Sequence, residues 1–505
     1  MAVRAVWRPP WYAWGLLGMV ALVLTPVAAP GRLHGAGLLL VPVAVAIGVL
    51  VVRWLWEQPP AVTMCAAIAL TIFSGAWSQI GLGGLPFDRL LVVVVLFQFL
   101  LRAPGVAQVP RPQIRGVHLL MCLAAMYVAA SALAAGTLTN EMSSLTLIDQ
   151  FGIVPFLMFL LAPAVFSGQR ERNMLLATLV GVGAYLGLTA IFESLGPHSL
   201  VFPRYILHVD AALPGERAGG PFQSSVAEGF ATFACAVAAI MAYMQWRGRA
   251  SRYLAAAVTV ICIFGCFLTL ERGVWIGAAA GIAAMAFATR AGRRWLLPGL
   301  LSCTLVIGGA LLLSSTLASK TSNRANDQLS VWVRENQTSA ALRMLAAKPL
   351  FGFGWSRYPV ASLNYFRETA DYPMNGYSTP PTCSPQGCLP AVQEPLHDTY
   401  LAYAVELGLV GAVLWLVSLV WGIGLGILSR GPADLRPWKL GLVAITVAFL
   451  VIALVNPYQS AFTMLLLWVW AGVAWGCAPL ATQERRAKRM VVVPNSRSEV
   501  AWAPI

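Results

Sequence analysis

The stretch RYLAAAVTVICIFGCFLTLERGVWIGAAAGIAAMAFATR, residues 252–290, decides what kind of protein this is. Two apolar runs, 253–270 and 273–289, flank the single polar pair Glu271-Arg272, and an arginine closes each outer end. A helix rises about 1.5 Å per residue, so each run reaches about 26 Å, close to the roughly 30 Å hydrocarbon core of a bilayer. In lipid the backbone must satisfy its own hydrogen bonds, which for two such runs means a helical hairpin. The Glu271-Arg272 turn then lies at one membrane face, with Arg252 and Arg290 at the other.

The same unit recurs along the 505 residues, of which 58% are hydrophobic and 11% charged. An ordinary soluble domain carries about 25% charged residues and could not cover itself with so few. Apolar runs lie at about 11–29, 36–56, 60–79, 86–101, 116–136, 147–167, 173–193, 222–246, 252–270, 272–289, 294–313, 397–428, 437–455 and 458–480. They predict an all-α polytopic membrane protein with about fourteen transmembrane helices, twelve at the least. Val27-Ala28-Ala29 resembles a signal-peptide cleavage site, but its apolar stretch is long for that role, so the first run reads as a retained helix.

A net charge of +14 raises the question of nucleic acid, but the basic residues sit in short loops between apolar runs rather than on a basic helix. Nucleic-acid binding is therefore not expected. With the N-terminus inside, Arg53, Arg102, Arg115, Arg170, Arg172, Arg247, Arg252, Arg290, Arg294, Arg430, Lys439 and a tail with Arg485, Arg486, Lys488 and Arg489 all fall on the cytoplasmic side. That is the positive-inside pattern, and it puts both termini in the cytoplasm. The chain then divides into helices 1–7 (residues 1–193), an outer loop (194–221), helices 8–11 (222–313), a large outer loop (314–396), helices 12–14 (397–480) and a basic cytoplasmic tail (481–505). Within the large loop, Ala341, Leu342, Leu345 and Ala346 recur at helical spacing, and Gln337 to Lys348 reads as an amphipathic helix along the membrane surface.

The sequence lacks a GxxxxGK[ST] phosphate loop, a GxGxxG, an HExxH, a GxSxG and an Asp-x-Asp pair. Neither a metal nor a cofactor is expected, and an enzyme so equipped needs a substrate that arrives already activated. Three residues stand out on the outer face. His397 opens the twelfth apolar run, Arg217 closes the first outer loop, and Arg272 sits in the hairpin turn. Taken singly, each reads as well as an interfacial helix cap, a surface ion pair or a membrane anchor. Their convergence on one face from distant parts of the chain is what those readings leave unexplained. Glu406 lies about two and a half turns below His397, at a depth where an ionisable group is a functional suspect. Tyr400, Gln223 and Glu228 could line the same cavity. Cys383 and Cys388, in TCSPQGC, lack the further ligands of a zinc site and read as a disulfide if that stretch faces an oxidising compartment.

Four segments carry a family resemblance. HDTYLAYAVELGLVGAVLWL (397–416), AAKPLFGFGWSRYP (346–359), TLERGVWIG (269–277) and RAGGPFQSSVAEG (217–229) resemble, in order and spacing, the motifs of the O-antigen ligase and polymerase family. The resemblance spans roughly 210–480. Two departures are Gln-Ser-Ser-Val after Phe222, where the family has Gly-Asn-Pro-Asn, and Glu271 in place of a small residue before Arg272. The resemblance implies an inverting glycosyltransferase at the periplasmic face of the bacterial inner membrane. Its donor would be a glycan on undecaprenyl diphosphate, and its acceptor lipid A–core or a growing glycan. It further implies that His397 activates the acceptor hydroxyl and that Arg217 and Arg272 hold the diphosphate.

A polymerase of O-antigen, capsule or exopolysaccharide shares these features, and the residues lean to the ligase. A transporter would be expected to place broken helices and charges at the midplane in two repeated halves, whereas here polar features collect at one face and repeats are absent. The topology has a direct check. A reporter active only outside the cytoplasm should be active when fused within 367–394 and inactive when fused at Gly248 or after residue 491; the reverse pattern overturns the orientation.

Overall fold

Runs rich in Ala, Leu and Val with almost no charge close their backbone hydrogen bonds locally, and the chain is accordingly a bundle of helices. In a computed structural model, the residues described are 53–54, 56–77, 79, 87–101, 114–151, 153–207, 217–326, 329–366, 383–384, 387–388, 395–429, 433–457 and 460–491. They form α1 (Pro60–Leu70), α2 (Phe87–Leu101), α3 (Gly116–Ala135), α4 (Glu141–Gln150), α5 (Ile153–Val165), α6 (Gln169–Leu195), α7 (Ser225–Gln245) and α8 (Arg249–Leu268). These are followed by α9 (Arg272–Phe287), α10 (Arg290–Leu313), α11 (Ser315–Ala325), α12 (Leu329–Ala347), α13 (Tyr358–Ala361), α14 (Thr399–Leu428), α15 (Arg436–Ala453) and α16 (Ala461–Val491). Among the described residues the strands are β1 (Cys383–Ser384) and β2 (Gly387–Cys388), an antiparallel pair that sets Cys383 opposite Cys388. The disulfide expectation concerns side chains outside the described set.

Among the described residues, seven helical stretches are long and apolar enough to cross a membrane: α3, Ser143–Val165 through α4 and α5, α6, α7, α8, α14 and α15. Pro60–Phe73, Arg272–Phe287 and Ala461–Gly476 are shorter apolar helices. The expected run 11–29 and most of 36–56 lie outside the described residues. Several boundaries differ from those expected: the run at 60–79 is helical only to Phe73, and α10 begins at Arg290 rather than 294. The run at 147–167 is two helices, α4 and α5. The last helix continues to Val491, so the tail expected from 481 begins as helix. In the large loop, α12 starts at Leu329 rather than Gln337. Its buried face is Asn336, Gln337, Ala340, Ala341 and Met344, while Leu342 is 54% exposed. Ala341 and Met344 pack with Tyr358, Leu396 and Val405, so the helix is held by protein on that face.

α7 lies at the centre and is buried along most of its length. It packs on α6, α8 and α15. α9 meets α15 through Gly273, Gly277 and Gly281, one residue per turn. A Cβ on Gly277 would sit 3.0 Å from the Ala448 carbonyl oxygen, and one on Gly281 2.4 Å from that of Ala444. Small residues four apart let two helices approach to backbone contact where no hydrophobic effect drives them together. The outward faces of α3 and α14 expose Leu119, Leu123, Met126, Val413, Leu416 and Val420, as lipid contact requires.

α14 is broken at Gly408, whose φ of 68° and ψ of 177° belong to a region essentially reserved for glycine. The strap 349–354 fills the break. Phe353 and Gly354 donate their N–H groups to the carbonyls of Val405 (3.0 Å) and Glu406 (2.8 Å). In return Leu409 and Val410 donate to the carbonyls of Pro349 (2.8 Å) and Leu350 (3.3 Å). Tyr127 Oη takes the Leu407 carbonyl at 2.8 Å. A Cβ on Gly408 would fall 2.1 Å from the Leu350 oxygen, and one on Gly352 2.5 Å from that of Glu406.

Gly408→Ala should therefore lower the thermal midpoint in detergent, by about 1–3 kcal/mol for the backbone alone and more for the clash. Gly424→Ala, on the same helix with open space around it, should leave the midpoint unchanged or slightly raised. Equal midpoints for the two variants would count against the strap as the reason for the break.

Candidate functional site

The hairpin turn read from the sequence is tight. α8 ends at Leu268 and α9 begins at Arg272. Between them Leu270 is buried and held at a φ of 48°, a conformation that a bulky side chain adopts only when its surroundings impose it. The turn presents Glu271, 3% exposed, beside Arg272 at the first position of α9.

Arg217 arrives on a loop anchored from both sides. The next residue, Ala218, donates its N–H to the Leu268 carbonyl (3.2 Å), which fastens the loop to the end of α8. Gly219 and Gly220 donate theirs to the two carboxylate oxygens of Glu193 at 3.0 Å each. Gly220, at a φ of 54°, lies so close to Glu228 that a Cβ would meet its carboxylate at 2.1 Å. So fixed, Arg217 Nη1 reaches Glu271 Oε2 at 3.3 Å.

A second arginine reaches the same carboxylate. Arg334 on α12 places Nη2 3.5 Å from Glu271 Oε1 and 3.5 Å from Asn456 Oδ1, just beyond α15. Glu271 thus holds two guanidinium groups from distant segments, with Arg272 next in the chain. Three arginines and one carboxylate in these segments sum to two net positive charges, and guanidinium stays charged even when partly buried. Such a cluster suits an anion with several oxygens in one plane.

One turn along α12 from Arg334, buried Gln337 holds the histidine. Its Oε1 lies 2.8 Å from His397 Nδ1 and also accepts the His397 backbone N–H at 3.4 Å. An amide oxygen only accepts, so Nδ1 carries a proton and Nε2 is the basic nitrogen of the neutral ring. The residues after His397 explain why the motif reads His-Asp-Thr-Tyr. Asp398 caps α14 by accepting the Leu401 N–H (3.0 Å). Burial pushes its carboxyl above the usual carboxylate range, against the lowering effect of the Leu401 and Tyr400 amides. Thr399 Oγ1 donates to the Asn456 carbonyl at 2.8 Å and Tyr400 Oη to that of Leu450 at 3.1 Å.

The sequence candidates therefore separate. Arg217, Arg272 and His397 belong to one region, joined through Glu271, Arg334, Gln337 and Asn456. Tyr400 fastens α14 to α15. Glu406 is 8% exposed at the helix break, where Oε1 accepts the Tyr358 N–H at 3.0 Å, so it holds the strap. Gln223, left-handed at a φ of 52°, donates to Gln79 Oε1 at 3.4 Å. Glu228 is fully buried beneath the Arg217 loop, and neither of its oxygens has a hydrogen-bond partner in the structure.

Arg334, Gln337 and Asn456 are not among the site candidates that the sequence offers. A loop helix that starts at Gln337 leaves Arg334 outside it, as one more basic residue of a long polar loop. The pair Arg334/Gln337 at i, i+3 was the signal that could have joined them.

The structure thus sets arginines around a buried carboxylate, one turn of α12 from the glutamine that orients a histidine. Residues 257–416 match the family model described as O-antigen ligase. The match runs from α8 past the Gly408 break, and so contains Arg272, Arg334 and His397. No curated protein matches the chain.

Glu271→Ala would leave Arg217 and Arg334 without their shared carboxylate. Breaking a buried pair costs at most about 3–5 kcal/mol, and the partial exposure of both arginines lowers this. A fall in the thermal midpoint is expected for Glu271→Ala and a smaller one for Glu271→Gln. Unchanged midpoints in both would mean that the arginines are held by other contacts.

Proposed function

We propose that this protein is an O-antigen ligase-type inverting glycosyltransferase, acting without a metal at the periplasmic face of the inner membrane. The donor is a glycan on undecaprenyl diphosphate and the acceptor a sugar hydroxyl of lipid A–core. The reading is carried chiefly by the pairing of the Arg217–Glu271–Arg334 cluster with His397 through α12. A diphosphate esterified at both ends carries two negative charges, equal and opposite to the net charge of the three arginines and Glu271.

His397 Nε2 takes the proton of the acceptor hydroxyl. The acceptor oxygen bonds to the anomeric carbon from the face opposite the diphosphate, and the bond from that carbon to the leaving oxygen breaks. Its electron pair stays on the diphosphate, where Arg217, Arg272 and Arg334 stabilise the added charge. Donors already aimed at a developing charge need no reorganisation, which is the largest single contribution in many enzymes. Gln337 orients the base as the third member of a catalytic triad does.

A deletion strain complemented with wild type or variants tests this on a lipopolysaccharide gel. Deletion should remove every O-antigen band from core, while a surviving single-repeat band points to a polymerase instead. In a purified transfer assay His397→Ala should lose about 10²–10⁴ in rate, and Arg272→Ala or Arg334→Ala about 10²–10³. Chelators should leave the wild-type rate unchanged. An unaltered ladder with His397→Ala and Arg272→Ala would remove the catalytic assignment.

A further inference from the structure

A partly open cavity of about 100 Å³ lies against the residues that flank the His397-Asp398 pair. Thr146 and Gln150 of α4, Trp355 just after the strap, Tyr358 of α13, and Tyr403 and Glu406 of α14 line it. Leu396 and Thr399, on either side of the His397-Asp398 pair, close its near wall. Tyr358 Oη donates to the backbone carbonyl of Gln337 at 3.3 Å. The residue that orients His397 is thus also bonded to the cavity wall.

From these contacts the geometry points to a subsite for one pyranose ring of the acceptor glycan, an inference that rests on the transferase reading above. The lining suits a sugar, which has apolar C–H faces and polar edges. Three aromatic residues stand among a hydroxyl, an amide and a carboxylate, the mixture typical of small-molecule sites. Tyr403 Oη donates to Gln150 Oε1 at 2.8 Å, and Trp355 Nε1 donates to the Ser143 carbonyl at 3.1 Å, so the walls are fixed in advance. A site needs roughly 10–15 Å³ to seat one water. This one seats several, which is the room of one ring rather than of an oligosaccharide.

The order of groups along α12 assigns the ring to the acceptor rather than the donor. Arg334 faces the cation cluster, Gln337 holds the base one turn later, and Ala341 and Met344 pack with Tyr358 and Leu396 beyond it. In an inverting displacement the acceptor oxygen and the leaving diphosphate lie on opposite sides of the anomeric carbon, and the base attends the acceptor. A cavity beyond the base is where the acceptor sugar belongs.

The full-length protein in nanodiscs, the core oligosaccharide released from lipopolysaccharide as probe, and two pocket-filling variants test this. Thr146→Phe fills the half-buried α4 side. Ser356→Asn enlarges a second lining residue while keeping its left-handed backbone (φ 61°), which asparagine tolerates. Oligosaccharide binding is measured without donor by saturation-transfer NMR, and donor and acceptor KM values by transfer. Both variants should weaken oligosaccharide binding and raise acceptor KM about tenfold or more, equivalent to about 1.4 kcal/mol, with donor KM unchanged. Arg272→Ala should bind the oligosaccharide as wild type does. Unaltered binding in both filled variants, no binding by wild type, or a rise confined to donor KM overturns the assignment, the last by giving the ring to the donor. Binding lost on filling, in a protein that transfers nothing from any polyprenyl-diphosphate donor, would uphold the subsite and refute the proposed reaction.

Discussion

A helix interrupted where water is scarce leaves backbone N–H and C=O groups without partners, each costing several kcal/mol in hydrocarbon. The break of α14 at Gly408 survives because the strap 349–354 and Tyr127 take up those groups. Much else follows from that exchange. The strap can come so close only because Gly352 and Gly408 lack side chains. Once docked, it fixes Trp355 against Ser131 and Ser143, and it brings the Tyr358 N–H to Glu406. Tyr358 then bonds Gln337, which bonds His397. A set of main-chain bonds at a helix break thereby sets the orientation of an imidazole at the helix's start.

The other side of the site depends on a different constraint, a buried carboxylate that must be neutralised. Glu271 is nearly inaccessible, and it draws Arg217 from the loop before α7 and Arg334 from α12. The glycine stripe of α9 makes this possible at a distance. Close contact with α15 sets Gly273 so near Asn456 that a Cβ would lie 2.4 Å from its Nδ2, and Asn456 is the second partner of Arg334. Packing of two apolar helices and placement of a charge cluster are thus a single arrangement.

Much of the fold was legible because apolar length and charge position are properties of short windows. The described helices follow the apolar runs from 60 onward, usually to within a few residues. The site was legible only where a residue stood out within its own motif, as Arg217, Arg272 and His397 did. Glu406 stands nine residues into an apolar run, where the sequence marks it as a suspect without saying what it does; the strap and the Tyr358 N–H that give it a hydrogen-bond donor come from a segment 48 residues away. Arg334 and Gln337 were hidden by the opposite problem. An arginine in a long polar loop has no local feature to distinguish it, and its importance comes from Glu271, more than sixty residues upstream. The replacement of a small residue by Glu271 looked like a departure from the family pattern. In the structure it is the group that gathers the arginines.

That replacement bears on how the proposed reaction is balanced. Guanidinium groups converging on one point repel each other. A carboxylate among them removes part of that repulsion and keeps them in place before substrate arrives, which avoids reorganisation at the moment of reaction. It also weakens their net pull on the anion, since some of their hydrogen-bonding capacity is already committed. The spent carrier diphosphate gains negative charge as it leaves the sugar, and a cluster with no internal counter-ion would hold it more tightly than the donor. In the proposed reaction Glu271 would compete with the product for Arg217 and Arg334. In this reading the carboxylate serves release as well as assembly, and a transferase that must discharge a lipid carrier at every turnover gains from both.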